Sequence, residues 1–472
     1  MSSDAGVGRQ HYNVTLGVLA ISALAYALSQ TMVAPALPDI QHTLGTSTTT
    51  VTWVLTAYLL SASVATPIIG RLGDIFGKER VLVLTLLVFG FGSLVAALSH
   101  SIGILILGRA IQGTGGAVFP LAFGIIRDEF PPGKVASGIG LISATFGIGG
   151  GAGLVISGLL VDHLNYEWIF WLGLIFVAIA IVATHRYVPE SPVKAKAKID
   201  WLGAALMSVG LVALLIGVSE GNSWGWGSDR VLGLFAASIV ILAIWVWVET
   251  RVEEPLVDMR IMRERAVFTT NLTALFVGFG MFGSFILIPQ FVQAPLSTGY
   301  GFGASVTTAG LFLLPSALVM LPAGPIAGTL GERYGSKLPL LAGSVLAALA
   351  YLFLAVAHDQ RWEIYAATTL LGFGIGFAFA AMANLIVEAV PQDQTGVATG
   401  MNTIARTIGG ALGAQLSATI LAADHLASGY PAESGYTGAF AMSAVGVAAA
   451  FFVGLAIPAR RHPAAALAHE GA

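Results

Sequence analysis

Two arginines lie inside stretches of the chain that are otherwise apolar enough to cross a membrane. Arg109 precedes Gln112 by three residues, so both occupy one face of a predicted helix, and Arg406 lies in a second such stretch. An arginine within a membrane helix costs about 2.5–3.5 kcal/mol on insertion scales, so it is a candidate functional residue by default. The alternative is a structural role, in which the arginine bonds to the carbonyls of a broken neighbouring helix.

Carboxylates are the other groups that could do chemistry, because proton coupling needs a group that titrates while exposed alternately to each side of a membrane. All 25 acidic residues lie in predicted loops or near predicted helix ends. By position, the candidates are Asp39, Asp74, Asp128, Glu220 and Glu388. The sequence leaves the choice among them open. It predicts a central cavity that is neutral to positive, better suited to neutral or anionic molecules than to multiply charged cations.

Several kinds of site are argued against by what the chain lacks. It has no cysteine, which excludes disulfides, thiolate metal sites and iron–sulfur ligation. Its nine histidines fall in loops or near termini, and no Gly-x-x-x-x-Gly-Lys-[Ser/Thr] run predicts a nucleotide-driven motor. A dinucleotide-like Gly278-x-Gly280-x-x-Gly283 lies inside an apolar span rather than after a strand. We therefore expect no metal, no cofactor and no nucleic-acid partner.

Composition places the chain in a lipid bilayer. Its 472 residues are 56% hydrophobic and 10% charged, whereas a soluble domain carries about 25% charged residues. A helix needs about 20 apolar residues to cross the hydrocarbon core. Such runs fall at approximately 14–38, 51–70, 81–99, 104–126, 135–160, 166–185, 201–219, 231–249, 267–291, 304–327, 338–357, 363–387, 396–421 and 437–457. The fold class predicted is an all-α membrane protein with fourteen transmembrane helices.

The basic residues support this count. With fourteen spans and a cytoplasmic N-terminus, the inside segments hold all but four of the 22 Lys and Arg residues. Arg230 and Arg361 fall outside, and Arg109 and Arg406 lie within spans. Because Lys and Arg collect on the cytoplasmic side, we expect both chain termini to be cytoplasmic in a multi-pass protein of the cell membrane.

An internal repeat divides the chain. Residues 67–77 recur at 325–335 with six of eleven positions identical, and Asp74 corresponds to Glu332. A second match at nearly the same offset aligns Pro131, Gly140, Gly149, Gly150 and Gly153 with Pro391, Gly400, Gly409, Gly410 and Gly413. We expect two pseudo-symmetric six-helix bundles at 1–198 and 266–472, with two inserted helices at 199–265. Many secondary transporters are built from such parallel repeats, with substrate bound between them near the membrane midplane.

The loop after the second span reads Gly-Arg-Leu-Gly-Asp-Ile-Phe-Gly-Lys-Glu-Arg over 70–80 and resembles the signature loop of the major facilitator superfamily. Its glycines permit a tight turn, and its aspartate can cap a helix. The resemblance implies a major facilitator fold in which this loop latches the cytoplasmic side in one state of alternating access. The latch residues are Gly70, Asp74, Gly77, Lys78 and Arg80.

The resemblance extends over nearly the whole chain. Residues 109–115 are similar to a second motif of the superfamily, whose arginine is associated with proton coupling. Coupling candidates are therefore Arg109, Gln112, Asp39, Asp128 and Glu388. The glycine-rich run 147–158 resembles the antiporter signature, with Leu154 in place of the expected proline and Ser157 in place of a glycine.

The first span and the two inserted helices resemble the 14-spanner drug/proton antiporters, many of which carry an aspartate where this chain has Ser29. Polar, aromatic and methionine side chains within spans predict an apolar pocket with few directional groups, which suits amphipathic organic compounds. Besides Arg109 and Gln112, the cavity candidates are Tyr26, Gln30, Met32, Tyr58, Gln290, Asn384, Asn402 and Arg406.

Three functions remain open from the sequence. The first is a secondary active transporter that exports amphipathic drugs or antibiotics, in exchange for protons, as a monomer. The second is a dedicated exporter of one endogenous metabolite, with or without proton coupling. A polytopic enzyme or receptor is the third, and it is disfavoured because the chain has neither a catalytic cluster near the interface nor a large extramembrane domain.

Overall fold

Helices account for nearly all of the computed structural model, which describes residues 11–426 and 428–458; those residues form no strand. The helices are α1 (Tyr12–Thr31), α2 (Val33–Thr43), α3 (Thr48–Phe76), α4 (Lys78–Ala97), α5 (Ile102–Gln112), α6 (Val118–Glu129), α7 (Pro132–His163), α8 (Glu167–Tyr187), α9 (Trp201–Trp224), α10 (Asp229–Glu249), α11 (Met259–Arg263), α12 (Arg265–Gln293), α13 (Val306–Tyr334), α14 (Lys337–Val356), α15 (Arg361–Ala389), α16 (Thr395–Leu421) and α17 (Glu433–Leu455). Short 3₁₀ turns cover Gly113–Ala117, Leu296–Thr298 and Gln392–Gln394.

Thirteen helices in the described part of the chain are long and apolar enough to span a membrane, with α5 and α6 joined as one. The one predicted span not among these thirteen is 396–421, which is α16; its 27 residues extend about 40 Å at 1.5 Å per residue. It is less apolar because it carries Asn402, Arg406 and Gln415, and it packs against α3, α6, α9, α12, α15 and α17. The predicted all-helical membrane fold is confirmed, with a span count close to the expected fourteen.

Two predicted spans are broken rather than continuous. The first is interrupted at Met32, between α1 and α2, because Pro35 has no N–H to donate to the carbonyl of Thr31. The run 104–126 is interrupted by the 3₁₀ turn that separates α5 from α6. Gly113 in that turn lies against α3, where an added Cβ would stand 2.6 Å from the Tyr58 carbonyl oxygen. Both breaks expose backbone groups inside the bundle.

Two helix pairs join the N-terminal helices α1–α8 to the C-terminal helices α12–α17. Helix α7 packs along α13, and α3 packs along α16. Glycines form both contacts: Gly70 lies on Gly396, where a Cβ would stand 2.5 Å from the carbonyl oxygen, and Gly140 lies on Gly324 in the same way. Such small residues let membrane helices approach to backbone contact.

The two ends of the bundle differ. One end of the bundle carries Asp74, Arg127, Glu332 and Glu388. It is here called the basic end, because the loops that the sequence analysis assigned to the Lys- and Arg-rich inside segments lie there. At this end the N-terminal and C-terminal helices meet both between α3 and α16 and between α7 and α13. At the opposite end α7 and α13 still touch, since Thr307 donates a hydrogen bond of 3.0 Å to Asp162. Between α3 and α16 an internal cavity remains, described below.

The inserted helices α9 and α10 pack on each other, and α9 also contacts α3 and α16. Glycines line the α9–α10 contact, where Gly210 faces Leu242 and Gly217 faces Phe235. The hydroxyl of Ser238 on α10 donates to the Gly210 carbonyl at 2.9 Å. Helix α10 exposes most of its surface, with Ile239 69% and Trp247 59% exposed. Its position is that of an outer, lipid-facing helix.

The Gly140–Gly324 contact predicts a specific sensitivity. We expect Gly140→Ala to lower the melting temperature of the purified protein, because the added Cβ overlaps the Gly324 backbone and such overpacking costs about 1–3 kcal/mol. The matched control is Gly17→Ala on α1, where a Cβ would meet nothing within 4 Å. Equal melting curves for the two variants would show that the contact between α7 and α13 does not require glycine at position 140.

Candidate functional site

A cavity of about 200 Å³ lies between the N-terminal and C-terminal helices. Helices α1, α2, α3, α5 and α7 contribute to it from one side, α12 and α16 from the other, and α9 closes it between α3 and α16. Most of the lining is apolar, including Leu55, Leu59, Phe146, Leu154 and Leu215. Its polar lining residues are Gln30, Thr31, Thr56, Tyr58, Arg109, Ser219 and Thr407.

Arg109 is fully buried and reaches the cavity from α5. Its Nε donates to the Val54 carbonyl at 3.1 Å, and its Nη1 donates to the Ser29 carbonyl at 3.3 Å. The same Nη1 donates to Gln112 Oε1 at 2.7 Å, and Gln112 Nε2 donates in turn to the Ser93 hydroxyl at 2.7 Å. Arg109 therefore bonds to a carbonyl beside the α1–α2 break, which is the structural role that the sequence analysis gave as the alternative to a functional one.

The Arg109 guanidinium has one face covered by an aromatic ring and one nitrogen without a hydrogen-bond partner. Its carbon lies 3.9 Å from the ring centroid of Tyr58, which is a close cation–π contact. Its Nη2 has no hydrogen-bond partner, although it is buried beside the cavity. Gln30 Oε1 is likewise buried without a partner and belongs to the lining. A donor and an acceptor are thus both unsatisfied at the same cavity.

Ser29 takes no part in the cavity lining. Its hydroxyl points at α8, where a Cβ on Gly173 would lie 2.9 Å away, and only its carbonyl serves Arg109. The two departures from the antiporter signature also have structural places. Leu154 lines the cavity, and Ser157 donates its hydroxyl to the Met32 carbonyl at 2.5 Å, satisfying a group at the α1–α2 break.

An aromatic row leads from the cavity across the bundle. Tyr26 stacks on Tyr58 at 5.9 Å between ring centroids, and Phe119 lies 5.9 Å from Tyr26. Phe146 of α7 continues the row to Phe379 of α15 at 5.6 Å. This row links the N-terminal to the C-terminal helices through the middle of the bundle.

Arg406 ends this row. Its guanidinium carbon lies 4.3 Å from the ring centroid of Phe379 and 5.7 Å from that of Phe146. It borders a much smaller cavity with Asn402, and Phe146 borders both cavities. The two guanidinium groups thus border neighbouring cavities, and none of the described residues that line either cavity is Asp or Glu.

The remaining predicted cavity residues lie elsewhere. Met32 is fully buried in a cluster with Leu28 and Tyr166, and Gln290 is exposed on α12. Asn384 Nδ2 donates to the Ala136 carbonyl at 3.2 Å near the basic end. Asn402 Nδ2 donates to Asn271 Oδ1 at 3.0 Å and borders only the small cavity. Thus Gln30, Tyr58 and Arg109 line the cavity of about 200 Å³, here called the main cavity because it lies in the middle of the bundle, although a pocket of about 660 Å³ opens at the basic end. Tyr26 supports Tyr58.

At the basic end, Asp74 is fully buried against the first turn of α16. Its two carboxylate oxygens accept hydrogen bonds of 3.1 Å from the backbone N–H groups of Gly396 and Val397. A carboxylate at this position satisfies N–H groups that have no intrahelical partner and complements the positive end of the helix dipole. The contact joins α3 to α16 and so bridges the N-terminal and C-terminal helices.

Lys78 supports Asp74 from the next helix. Its Nζ lies 3.7 Å from Asp74 Oδ1 and 2.7 Å from Asp128 Oδ2, with all three side chains fully buried. The Ser191 hydroxyl also donates to Asp128, and the Ala195 N–H donates to the Asp74 carbonyl at 2.7 Å. The segment between α8 and α9 therefore covers this ion-pair cluster.

The other latch residues shape the turn. Gly77 adopts φ 111°, a conformation that side chains rarely accept, and its open face is occupied by the Glu190 carboxylate. Arg80 pairs with Glu190 at 3.4 Å but is 72% exposed, so this pair contributes little. The five predicted latch residues are thus brought together at one corner, with Asp74 and Lys78 at its buried centre.

Arg127, Glu332 and Asn384 also join the two sets of helices at the basic end, a role that the sequence analysis did not give them. Arg127 Nη2 donates to the Val390 carbonyl at 2.7 Å, and its Nη1 donates to the Pro391 carbonyl at 3.1 Å and the Thr395 hydroxyl at 2.7 Å. Glu332 accepts a hydrogen bond from the backbone N–H of Ser137 on α7. Asn384 adds its bond to α7 described above. Only Glu332 had a signal, its match to Asp74 in the repeat.

The coupling candidates fall into three places. Arg109 and Gln112 lie in the middle, Asp128 belongs to the Lys78 cluster, and Glu388 accepts a hydrogen bond of 2.8 Å from Ser336 at the basic end. Asp39 lies on α2 at the opposite end. They therefore do not form one continuous site.

Sequence comparison identifies the family. The chain matches the family described as Major Facilitator Superfamily over residues 19–414. It is 30% identical over 412 residues to the tetracenomycin C resistance and export protein of Streptomyces glaucescens, covering 86% of this chain and 76% of that protein. It is 29% identical over 407 residues to the multidrug transporter MdtP of Bacillus subtilis, covering 85% and 74%.

Two further similarities bear on extent and fold. An uncharacterized MFS-type transporter of Mycobacterium tuberculosis is 31% identical over 407 residues, which cover 85% of this chain but 58% of that protein. The chain thus spans only 58% of that relative's length. A crystal structure of the human organic anion transporter MFSD10 superposes with a TM-score of 0.65 at 16% identity, covering 94% of this chain and 99% of that one.

The Asp74 contact predicts a local change that hydrogen exchange can detect. We expect Asp74→Asn to raise amide exchange in the first turn of α16 at least fivefold, because bonds to a charged acceptor are stronger than neutral ones by about 1–2 kcal/mol. The control, Arg80→Gln, removes an exposed ion pair in the same loop and should leave that exchange unchanged. Equal protection in Asp74→Asn and the wild type would show that the charge is not needed.

Proposed function

Because the chain belongs to the major facilitator superfamily, we propose that it is a secondary active exporter of neutral or anionic amphipathic organic compounds. It is a membrane transporter rather than an enzyme. We propose further that it works by alternating access of the main cavity, as a monomer in the cytoplasmic membrane. The two six-helix units are 1–198 and 266–472, and 199–265 carries the inserted helices.

The observation that carries the substrate class is the unsatisfied Arg109 Nη2 at a cavity where the described lining residues include no carboxylate. A buried guanidinium without an opposite charge favours a ligand group that accepts hydrogen bonds, such as a carbonyl, phenolate, carboxylate or sulfonate. Arg406 adds a second positive charge on the other side of Phe146. A cationic drug would find no counter-ion in this lining, so we propose that cations are poor substrates.

The cavity also supports an amphipathic cargo. Leucines and the rings of Tyr58 and Phe146 supply apolar contact area, while Gln30 and Arg109 supply two directional groups. This combination is typical of sites that orient a mostly apolar ligand by a few polar contacts. Names of relatives agree with it, since they include a multidrug transporter and an antibiotic resistance and export protein.

We propose that the basic end faces the cytoplasm and that both chain termini lie there, since this orientation places nearly all Lys and Arg residues inside. With the basic end closed by Asp74 and Arg127, the conformation described here is then shut toward the cytoplasm. Uptake of cargo from the inside would require those contacts to break. The latch therefore belongs to one half of the transport cycle.

Proton coupling is the finer part of the proposal. The Arg109–Gln112–Ser93 chain connects the cavity to the interior of the N-terminal helices. The buried carboxylates Asp74 and Asp128 lie where the latch opens and closes. We propose that protonation of carboxylates at the basic end weakens the latch and so links proton movement to the conformational change.

A second candidate is a dedicated exporter of one compound. The main cavity, at about 200 Å³, is smaller than the roughly 300–1,000 Å³ of sites for drug-sized ligands. A cavity of this size in the conformation described here favours a compact substrate over a broad range. The breadth of the substrate range separates the two candidates in the experiment below.

The experiment reconstitutes the protein in liposomes with a pH dye in the lumen and adds three probes separately. They are Nile red, which is neutral, anilinonaphthalenesulfonate, which is anionic, and ethidium, which is cationic. We expect transport with a lumenal pH change for the first two and little for ethidium. Ethidium as the preferred probe would contradict the substrate class, and transport without a pH change would contradict proton coupling.

Substitution of two arginines tests whether the preference for anionic compounds arises at Arg109 in the cavity. Arg109→Gln should raise the KM for anilinonaphthalenesulfonate about tenfold or more and that for Nile red less, because a charge-assisted hydrogen bond is worth about 1.5–3 kcal/mol. Arg230→Gln, an exposed arginine stacked on Trp224 outside the cavity, is the matched control and should change neither. The same loss for both probes in Arg109→Gln would assign it a packing role.

A further inference from the structure

We infer that α9, one of the two inserted helices, forms a wall of the substrate cavity, and that Leu215 and Ser219 on it help to select the substrate. The inference rests on the proposed function, because it concerns the same cavity. Leu215 and Ser219 are the α9 residues of the lining. Helix α9 lies outside both sequence repeats, so the repeat gives no reason to expect it there.

One face of α9 carries the contact. Ala204, Met207, Leu211, Leu215 and Ser219 follow one another at intervals of three or four residues, which places them along a single stripe of the helix. The part of this stripe nearer the basic end is packed, since its first three members cluster with residues of α3 and α16. Those partners are Ile68, Val397, Met401, Ile404 and Ile408.

The stripe changes role along its length. Toward the basic end it seals the seam between α3 and α16 with apolar side chains. Farther along, where those two helices leave the cavity between them, the same stripe presents Leu215 and Ser219 to the open space. Helix α9 therefore closes the gap between α3 and α16 and separates the cavity from the surrounding lipid.

A polar cluster anchors α9 beyond the cavity. Asn222 Nδ2 donates to Gln415 of α16, at 2.8 Å to the side-chain Oε1 and 3.1 Å to the carbonyl. Asn222 Oδ1 accepts from Thr419 at 2.7 Å and from Trp226 Nε1 at 2.9 Å. With the apolar packing below and this cluster above, the intervening turns cannot rotate freely, and Ser219 stays directed at the cavity.

The hydroxyl of Ser219 is available to a ligand. Within the described residues it makes no side-chain hydrogen bond, whereas Ser208 on the same helix donates to the Ala204 carbonyl at 2.5 Å. Leu215 is 3% exposed and limits the width of the cavity. A substrate that bonds to Arg109 can therefore meet a further donor or acceptor, and a size limit, on the inserted helix.

The absence of cysteine in the chain allows single-cysteine variants to be labelled directly. We expect a water-soluble maleimide to label Ser219→Cys, and Nile red or anilinonaphthalenesulfonate to slow that labelling. Val209→Cys, 55% exposed on the outer side of the same helix, should be labelled slowly with no effect of either probe. Equal labelling of the two variants, with or without probe, would overturn the inference.

Transport by the conservative variants tests selection separately. Ser219→Val should change the KM for at least one exported probe about threefold to tenfold, in line with a hydrogen bond worth roughly 0.5–1.5 kcal/mol, while Ser208→Val should not. Leu215→Ala should shift the preference toward bulkier compounds, and Leu202→Ala, 59% exposed on the same helix, should leave it unchanged. Indistinguishable probe preferences in all four variants would refute a selective role.

Failure of the proposed function would look different. A wild-type protein that transports none of the three probes would refute the export proposal, while specific labelling of Ser219→Cys over Val209→Cys would still establish α9 as the cavity wall. A transporting wild type whose cavity variants match their controls would instead overturn the inference alone.

Discussion

The contact on which the described conformation depends is the Asp74 carboxylate at the N-terminus of α16. It is buried, so it must be satisfied, and two backbone N–H groups at the positive end of a helix do so. The approach requires glycine on both sides, because Gly70 and Gly396 touch at their backbones. Lys78 then balances the remaining charge and needs Asp128 for its own burial.

Arg127 holds the basic end together at the C-terminal end of another helix, α15. Arg127 donates to carbonyls that follow α15, the negative end of that helix, while Asp74 accepts from the start of α16. The negative charge of Asp74 thus meets the positive end of α16, and the positive charge of Arg127 meets the negative end of α15. Glu332 of α13 accepts a hydrogen bond from the Ser137 N–H on α7, so a carboxylate of the C-terminal helices also reaches the N-terminal helices. Hydrogen bonds of this kind can be exchanged for water, so they would suit a switch better than an apolar seal would.

The cavity follows from the same rule applied in the middle of the bundle. Arg109 can be buried because the carbonyls of Val54 and of Ser29, which lies beside the α1–α2 break, accept its hydrogen bonds, and because Tyr58 covers one of its faces. The one guanidinium nitrogen that those groups leave without a partner, Nη2, is the one offered to a ligand in the cavity. The substrate class proposed above is therefore a consequence of how a charge is accommodated in an apolar interior.

Much of this was predictable from local signals. Apolar runs located the helices, and the signature loop around Asp74 pointed to the residues of the buried corner, because both signals depend on neighbouring residues. The role of Arg127 was not predictable, since its partners lie far along the chain. Met32 and Gln290 were predicted at the cavity because residue type does not reveal helix phase, and the break after α1 alters that phase further. The place of α9 was not predicted because that helix lies outside both repeats.

Distances between the two sets of helices at the basic end test the central claim most directly. Nitroxide labels at Arg186→Cys on α8 and Arg333→Cys on α13, both exposed in this cysteine-free chain, can report them by electron–electron double resonance. We predict a dominant short distance in the otherwise wild-type protein and a shift toward longer distances when Asp74→Asn is added. An unchanged distribution would show that the Asp74 charge does not hold this end closed.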